Sequence, residues 1–443
     1  MLIPEFGGFL WTILAFVVAL SVIVAIHEYG HYIVGRWSGI KADVFSLGFG
    51  PVLLSRTDRH GTRWQLAALP FGGYVKFAGD SNAASGKDAE AMEGLSDDER
   101  RHTMHGAPLW ARAATVAAGP VFNFILSIAI FAGVIWSEGV ATDPLSVGEM
   151  VPLPVEHDLR EGDILLEIGG MPVPGIDSAG GFQAILDALP LAPTVPYLVG
   201  REGDAMRIEG PYPFPPLVEQ LSPKSAAYDI GMEVGDVITE VDGMPIVAFS
   251  QLKEIVETSD GAPLLIKVWR DGEQLDFALT PRSRDEPQSD GTFTNNWRIG
   301  IAGGLVFEPA TEAPGVGFAL STGVNQVLRI VEGSVSGIWH IVTGAISTCN
   351  LSGPVGIAQA SGTMASQGTT SFIWFIAVLS TAVGLLNLFP IPVLDGGHLM
   401  FHAYEAVTGR PPSDRALRVM MTLGLALILT LTVFALGSDL FCT

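Results

Sequence analysis

The chain has 443 residues, 48 % hydrophobic and only 16 % charged, and carries a net charge of −22. Its length allows about three domains, and a mean hydropathy of +0.40 places it among membrane proteins. The acidic balance excludes nucleic acid as a partner.

The first predicted element is the apolar run Phe9 to Tyr32, long enough as a helix to cross most of a bilayer. It has no basic segment before it and no convincing cleavage site, so it reads as retained rather than as a signal peptide. Its only ionisable groups before Tyr29 are His27 and Glu28, and with His31 these spell His-Glu-x-x-His. On a helix, positions i and i+4 share a face, so two imidazoles can grip one Zn2+ while the Glu reaches the metal-bound water. Ionisable groups at that depth are costly and mark function.

After this span, Ala42 to Phe77 alternates in polarity around a turn at Asp58-Arg59-His60-Gly61 and reads as a β-hairpin. Ala78 to His105 is polar and reads as a mobile loop, with His102 and His105 solvated. A second span follows at Ala113 to Trp136. The stretch Glu138 to Glu312 is strongly acidic and holds an internal repeat: Glu161 to Gly170 aligns with Val234 to Gly243, each around a Gly-Asp pair. Each copy continues through Met-Pro to Arg-Glu-Gly (201–203) or Arg-Asp-Gly (270–272). Two small modules in tandem are expected, residues 138–215 and 216–285. The second has Ser222-Pro223-Lys224-Ser225-Ala226-Ala227 before its core, which looks like the PDZ pattern; PDZ domains add an extended peptide to a sheet edge.

Residues 286–371 read as a linker rich in Pro and Gly and an amphipathic helix, Val316 to Ile346, lying along the membrane. The last spans are Phe372 to Phe389 and Ala416 to Leu436. Pro390 and Pro392 break the third span, and Asp395-Gly396-Gly397 follows. Irregular backbone at membrane depth is tolerated where it lines a wet cavity, so Asp395 is the candidate third metal ligand. Asn387, on the same stretch, could hydrogen-bond a substrate backbone or an oxyanion. His398 and His402 are expected to flank the site. Two cysteines, Cys349 and Cys442, promise no disulfide framework. Basic residues, among them Arg36, Lys41, Arg100 and Arg112, concentrate between the first two spans, and Arg410 and Arg415 between the last two. By the positive-inside rule those loops are cytoplasmic, and the acidic domain and both termini lie outside.

The expected fold class is therefore a polytopic α-helical membrane protein of about four transmembrane helices, with a cytoplasmic-side β-hairpin and tandem extracytoplasmic PDZ-like α+β domains. Residues 1–137 hold the first two spans with the hairpin, and 372–443 the last two with Asp395.

His-Glu-x-x-His in the first span, with Asn387-Leu388-Phe389-Pro390-Ile391-Pro392-Val393-Leu394-Asp395-Gly396-Gly397 in the third, resembles the site-2 protease family of intramembrane zinc metalloproteases. Gly119-Pro120-Val121-Phe122-Asn123 and Ser352-Gly353-Pro354-Val355-Gly356-Ile357-Ala358 match it as well. With the tandem modules, the chain is similar to the bacterial regulator-of-sigma-E protease group. The resemblance implies Zn2+ on His27, His31 and Asp395, with Glu28 as general base. It implies substrate positioning by Asn387 and strand addition of substrate to the hairpin around Gly72, Gly73, Tyr74 and Val75. The implied substrates are trimmed single-span proteins, anti-sigma factors and remnant signal peptides, in the bacterial inner membrane during an envelope stress response, with the PDZ-like modules in the periplasm. The alternative is a non-proteolytic PDZ membrane scaffold, a pseudoprotease holding transmembrane partners.

Overall fold

A computed structural model describes residues 3–80, 94–175, 180–223, 225–287, 293–347, 349 and 352–441. They form two compact units. One comprises Met1–Val134, Gly317–Gly344 and Leu351–Thr443, the other Ile135–Val316 and Ala345–Asn350.

The first unit opens with helix α1 (Ile3–Trp37), strands β1 (Ala42–Thr57) and β2 (Arg63–Phe77), and helices α2 (Asp97–Arg101) and α3 (Leu109–Glu138). α1 and α3 cross at small residues. A Cβ on Gly30 would stand 2.6 Å from the Ala118 carbonyl oxygen, an approach that only glycine permits.

The strands meet at the expected turn but are not a plain hairpin. Val44–Leu47 pairs on one side with Arg63–Leu66 and on the other with Gly73–Lys76, while Val52–Thr57 pairs with Arg63–Ala67. Each strand therefore doubles back, and Gly48, at φ +89, marks the bend in β1. The segment Gly73–Lys76 is left with an unpaired outer edge among the described residues. Asp58 ties the turn to α1 by accepting from Tyr32 Oη, Trp64 Nε1 and the His60 and Thr62 amides. Burial pushes this carboxyl up, but the four donors outweigh it and hold it at about 2. The expected mobile loop lies partly outside the described residues. Its end is ordered: α2 begins at a Ser96/Glu99 capping box, which satisfies helix amides that otherwise have no partner.

The second unit contains the repeat. Its first sheet has the order β6-β5-β7-β8, from β5 (Ile164–Ile168), β6 (Met171–Pro172), β7 (Thr194–Arg201) and β8 (Asp204–Pro211). Its second has the order β11-β10-β12-β13, from β10 (Val237–Val241), β11 (Met244–Pro245), β12 (Leu264–Arg270) and β13 (Glu273–Leu279). Helices α4 (Gly181–Ala188) and α6 (Phe249–Thr258) occupy equivalent places, and a short helix α5 (Ala226–Asp229) precedes the second sheet. The two repeated signals meet in space. The Gly-Asp carboxylates, Asp163 and Asp236, have wholly buried side chains and pair with Arg201 and Arg270 at the ends of β7 and β12. Leu165, Ile168, Val195 and Val199 in one core, and Ile238, Val241, Ile266 and Val268 in the other, are almost fully buried. Each contributes about 1.5–3 kcal/mol.

The stretch read as a linker is instead strand-forming. β14 (Arg282–Pro287) pairs with β15 (Phe293–Arg298), and β16 (Ile301–Ala302), β17 (Phe307–Pro309) and β18 (Thr311–Glu312) pair with β9 (Gln220–Leu221), β4 (Val147–Met150) and β3 (Val140–Ala141). β16, β17 and β18 carry too few residues for an alternation to show, and β14, Arg-Ser-Arg-Asp-Glu-Pro, has no apolar face to alternate.

The chain then returns to the first unit as α7 (Val316–Val342), α8 (Pro354–Ser366), α9 (Thr369–Asn387), α10 (Asp395–Thr408) and α11 (Asp414–Phe441). α1, α3, α9 and α11 are long and apolar enough to cross a membrane. α8 was not expected. It lies directly on α1, where a Cβ on Gly362 would be 2.4 Å from Thr12 Oγ1. Asp439 of α11 caps it, accepting from the Gly353, Val355 and Gly356 amides, each at 3.0 Å. Cys349 is disulfide-bonded, a single bond where the sequence promised no disulfide framework. Two cysteines far apart in sequence give no spacing signal; Cys442 lies outside the described residues.

Candidate metal centre

The site is assembled from α1, α3 and the α9–α10 break. α9 ends at Asn387 and α10 begins at Asp395, since Pro390 and Pro392 cannot continue a helix. The following glycines let α10 fold back over this turn. A Cβ on Gly396 would stand 2.3 Å from the Leu388 and Phe389 carbonyl oxygens, and one on Gly397 2.4 Å from that of Ile391. Asp395 thereby sits in the first turn of α10 and faces His27 and His31.

Three acceptor atoms converge. His27 Nε2 is 3.2 Å from His31 Nε2 and 3.2 Å from Asp395 Oδ2, and His31 Nε2 is 3.5 Å from Asp395 Oδ2. Tetrahedral Zn2+ with bonds of about 2.0–2.1 Å separates its ligand atoms by roughly 3.3–3.4 Å. The triangle has that size. Asp395 Oδ2 is buried without a hydrogen-bond partner, and the three side chains are 12, 13 and 17 % exposed. Such a set of inward-facing acceptors fits a cation. Among the described residues it is the one cluster of three His, Cys or acidic ligands close enough to share a metal ion.

Neighbouring groups fix the ring tautomers. His31 Nδ1 lies 2.8 Å from the Thr115 carbonyl oxygen, which only accepts. Nδ1 therefore carries the proton and Nε2 keeps its lone pair for a metal. Asn123, fully buried on α3, places its amide 3.2 Å from His27 Nδ1. Its Oδ1 has no other partner, and a half-turn of the amide lets that oxygen accept Nδ1–H, the tautomer a metal on Nε2 requires. Gly119 is equally specific. A Cβ there would stand 2.4 Å from His31 Nε2 and 2.7 Å from His27 Cε1. The Gly119-Pro120-x-x-Asn123 signal was visible in the sequence as part of the family resemblance, without a role for either residue at the metal.

The triad opens into a cavity of about 390 Å3 that Glu28, Gly73, Tyr74, Val75 and Asn387 also line. Gly73 lacks a side chain for a reason: its Cβ would meet Ser46 O at 2.8 Å, Val24 Cγ1 at 2.9 Å and Glu28 Cγ at 3.1 Å. The segment Gly73–Lys76, with its free outer edge, is thereby held against α1 at Glu28, and the Val75 amide is directed at the Glu28 carboxylate. Gly72 is not among the lining residues; it packs on the Phe49 ring. Asn387 Nδ2 donates to the Val383 carbonyl at 3.1 Å. His105, expected to be solvated, lines the cavity as well, together with His398 and His402.

A His-Glu-x-x-His helix, a carboxylate returned to it on a broken helix, and four helices able to cross a membrane define the class of intramembrane metallopeptidases. The chain belongs to peptidase family M50, whose family model matches residues 15–431. It is 37 % identical to a Rhizobium meliloti protein designated as a zinc metalloprotease, over 97 % of this chain and 96 % of the relative. An Agrobacterium fabrum protein of the same designation is 36 % identical, over 97 % and 95 %. The regulator of sigma-E protease of Salmonella typhimurium is 31 % identical, over 97 % and 98 %. The protein is thus a multi-pass membrane zinc metalloendopeptidase of the site-2 protease family, with Zn2+ as cofactor.

Proposed function

We propose that the protein cleaves trimmed single-span membrane proteins, such as anti-sigma factors and signal-peptide remnants, using Glu28 beside Zn2+ held by His27, His31 and Asp395. The observation that carries this reading is the triangle of three bare acceptor atoms with zinc-sized spacing, in a cavity that Glu28 shares. Zn2+ bound there supplies Lewis-acid activation of water and of the scissile carbonyl.

Glu28 takes a proton from the attacking water and passes it to the leaving amine nitrogen as the C–N bond breaks. His31 is held in its metal-ready tautomer by the Thr115 carbonyl, and Asn123 does the same for His27. The free edge of Gly73–Lys76 receives the unwound substrate as an added strand, with Tyr74 and Val75 facing the cavity and Gly72 shaping the approach. Asn387 positions the substrate backbone.

Residues 138–215 and 216–285 serve as PDZ-like modules in the periplasm, admitting substrates already shortened there and offering grooves for peptide. The metal site lies toward the cytoplasmic side of the inner membrane, since the loop after it carries Arg36, Lys41, Arg56 and Arg63. No observation favours the scaffold reading, which leaves an intact Glu28 without use. The test is cleavage in liposomes of one single-span substrate made with a short or a bulky outer domain. Cutting confined to the short form supports the proposal. Equal cutting of both contradicts it.

A further inference from the structure

The cavity that holds the metal triad is lined by further ligating groups. α10 carries Asp395, His398 and His402 at i, i+3 and i+7, one helix face, and all three line the same cavity. His105, in the turn before α3, lines the cavity with them. Its Nε2 is 3.2 Å from Oδ1 of Asp80, whose side chain is fully buried, an ion-pair distance without hydrogen-bond geometry, and His402 Nδ1 is buried without a partner. Polar atoms left in this state are costly unless something comes to them.

The chemistry of that something is restricted. Burial, with the Arg112 guanidinium beside it, pushes His402 down to about 4, so the ring is neutral and offers a lone pair. Arg112 itself is committed to Glu405 through two bonds of 3.0 and 2.6 Å and leaves no cation for an anionic guest. A proton relay has no task here, because hydrolysis of a peptide near neutral pH yields a carboxylate and an ammonium with no net proton to export. Neutral imidazoles and a carboxylate suit a divalent transition metal. The described residues hold no second closed set of three, so these groups are stations rather than a resident site. The His105 side chain is 25 % exposed, against 12–17 % for the triad.

We propose that His105, His398 and His402 form a transfer path along which Zn2+ passes between solvent and the His27–His31–Asp395 triad, each station replacing a water ligand as the ion leaves bulk solvent. This rests on the triad being the metal site.

The test strips full-length protein in detergent with a chelator and follows Zn2+ uptake and release by stopped-flow competition with a fluorescent indicator. His402→Leu and His105→Gln, on separate elements, are compared with the unmodified chain. A station lowers the barrier in both directions, so each variant slows uptake and release together by about tenfold, with zinc affinity, stoichiometry and melting temperature unchanged. Unchanged rates overturn the proposal, as does weaker affinity arising from faster release alone, which assigns these residues to the binding set. Failure of the unmodified chain to bind stoichiometric zinc overturns the triad reading, and the path with it.

Discussion

Replacing Asn123 by leucine removes one polar contact from the metal centre and little else. The side chain is fully buried and leucine is close to it in volume, so no sizeable cavity opens. What is lost is the amide 3.2 Å from His27 Nδ1, which orients the ring and selects its tautomer. Partners of this kind are worth about 10–100-fold in metal affinity, or roughly 1.4–2.7 kcal/mol. The expected outcome is zinc affinity weakened by that factor, measured by competition with a chromophoric chelator, with the melting temperature of the zinc-free protein nearly unchanged. Asn123→Asp retains an acceptor for Nδ1–H and is expected to hold zinc at least as tightly as the unmodified chain. A leucine variant that binds zinc as tightly as the unmodified chain would refute the role assigned to Asn123.

Gly119→Ala puts a methyl 2.4 Å from His31 Nε2, so it is expected to lose stoichiometric zinc by elemental analysis while the helices still form by circular dichroism. Gly73→Ala pushes the free strand edge away from Glu28 through contacts of 2.8–3.1 Å. It should retain zinc and lose most cleavage, about the 10²-fold that a 1 Å misplacement costs; undiminished cleavage would show that the edge does not present substrate. Arg201→Met leaves the fully buried Asp163 carboxylate without its cation, with the Arg160 amide still donating to it, and should destabilise the second unit by about 3 kcal/mol, read by denaturant unfolding. Burial pushes the Asp163 carboxyl up, but the Arg201 hydrogen bonds outweigh it and hold it below its ordinary value. Its contribution is therefore present above the unfolded Asp value near about 4 and is lost as pH falls through the lower folded value. The stability gap between the unmodified chain and Arg201→Met should thus narrow below about pH 4.

The spans, the two halves of the metal motif and the repeat were legible because each has a strong local signature. Eighteen or more apolar residues, i,i+4 histidines and a duplicated Gly-Asp are all readable without knowing what lies opposite. The Arg201–Asp163 and Arg270–Asp236 pairs show how such signals meet: both partners stood in the repeat, but only the fold joins residues 38 and 34 positions apart. Between Arg282 and Glu312, β16, β17 and β18 were missed because two or three residues carry no periodicity, and β14 because its six residues are polar throughout apart from Pro287. α8 was missed because Pro354–Ser366, with its glycines and serines, is a poor helix by propensity; it forms because Asp439 caps it and Gly362 lets it lie on α1. His105 read as solvated because its loop is polar, and nothing in that loop reveals that Asp80 and the cavity face it.

In the proposed mechanism Glu28 performs the proton transfers beside a metal it does not itself ligate. Measuring zinc content and cleavage of a trimmed single-span substrate for Glu28→Gln tests this most directly. The expected result is zinc bound in the same stoichiometry as in the unmodified chain, with cleavage abolished. Cleavage at the unmodified rate, or loss of zinc from the variant, would contradict it.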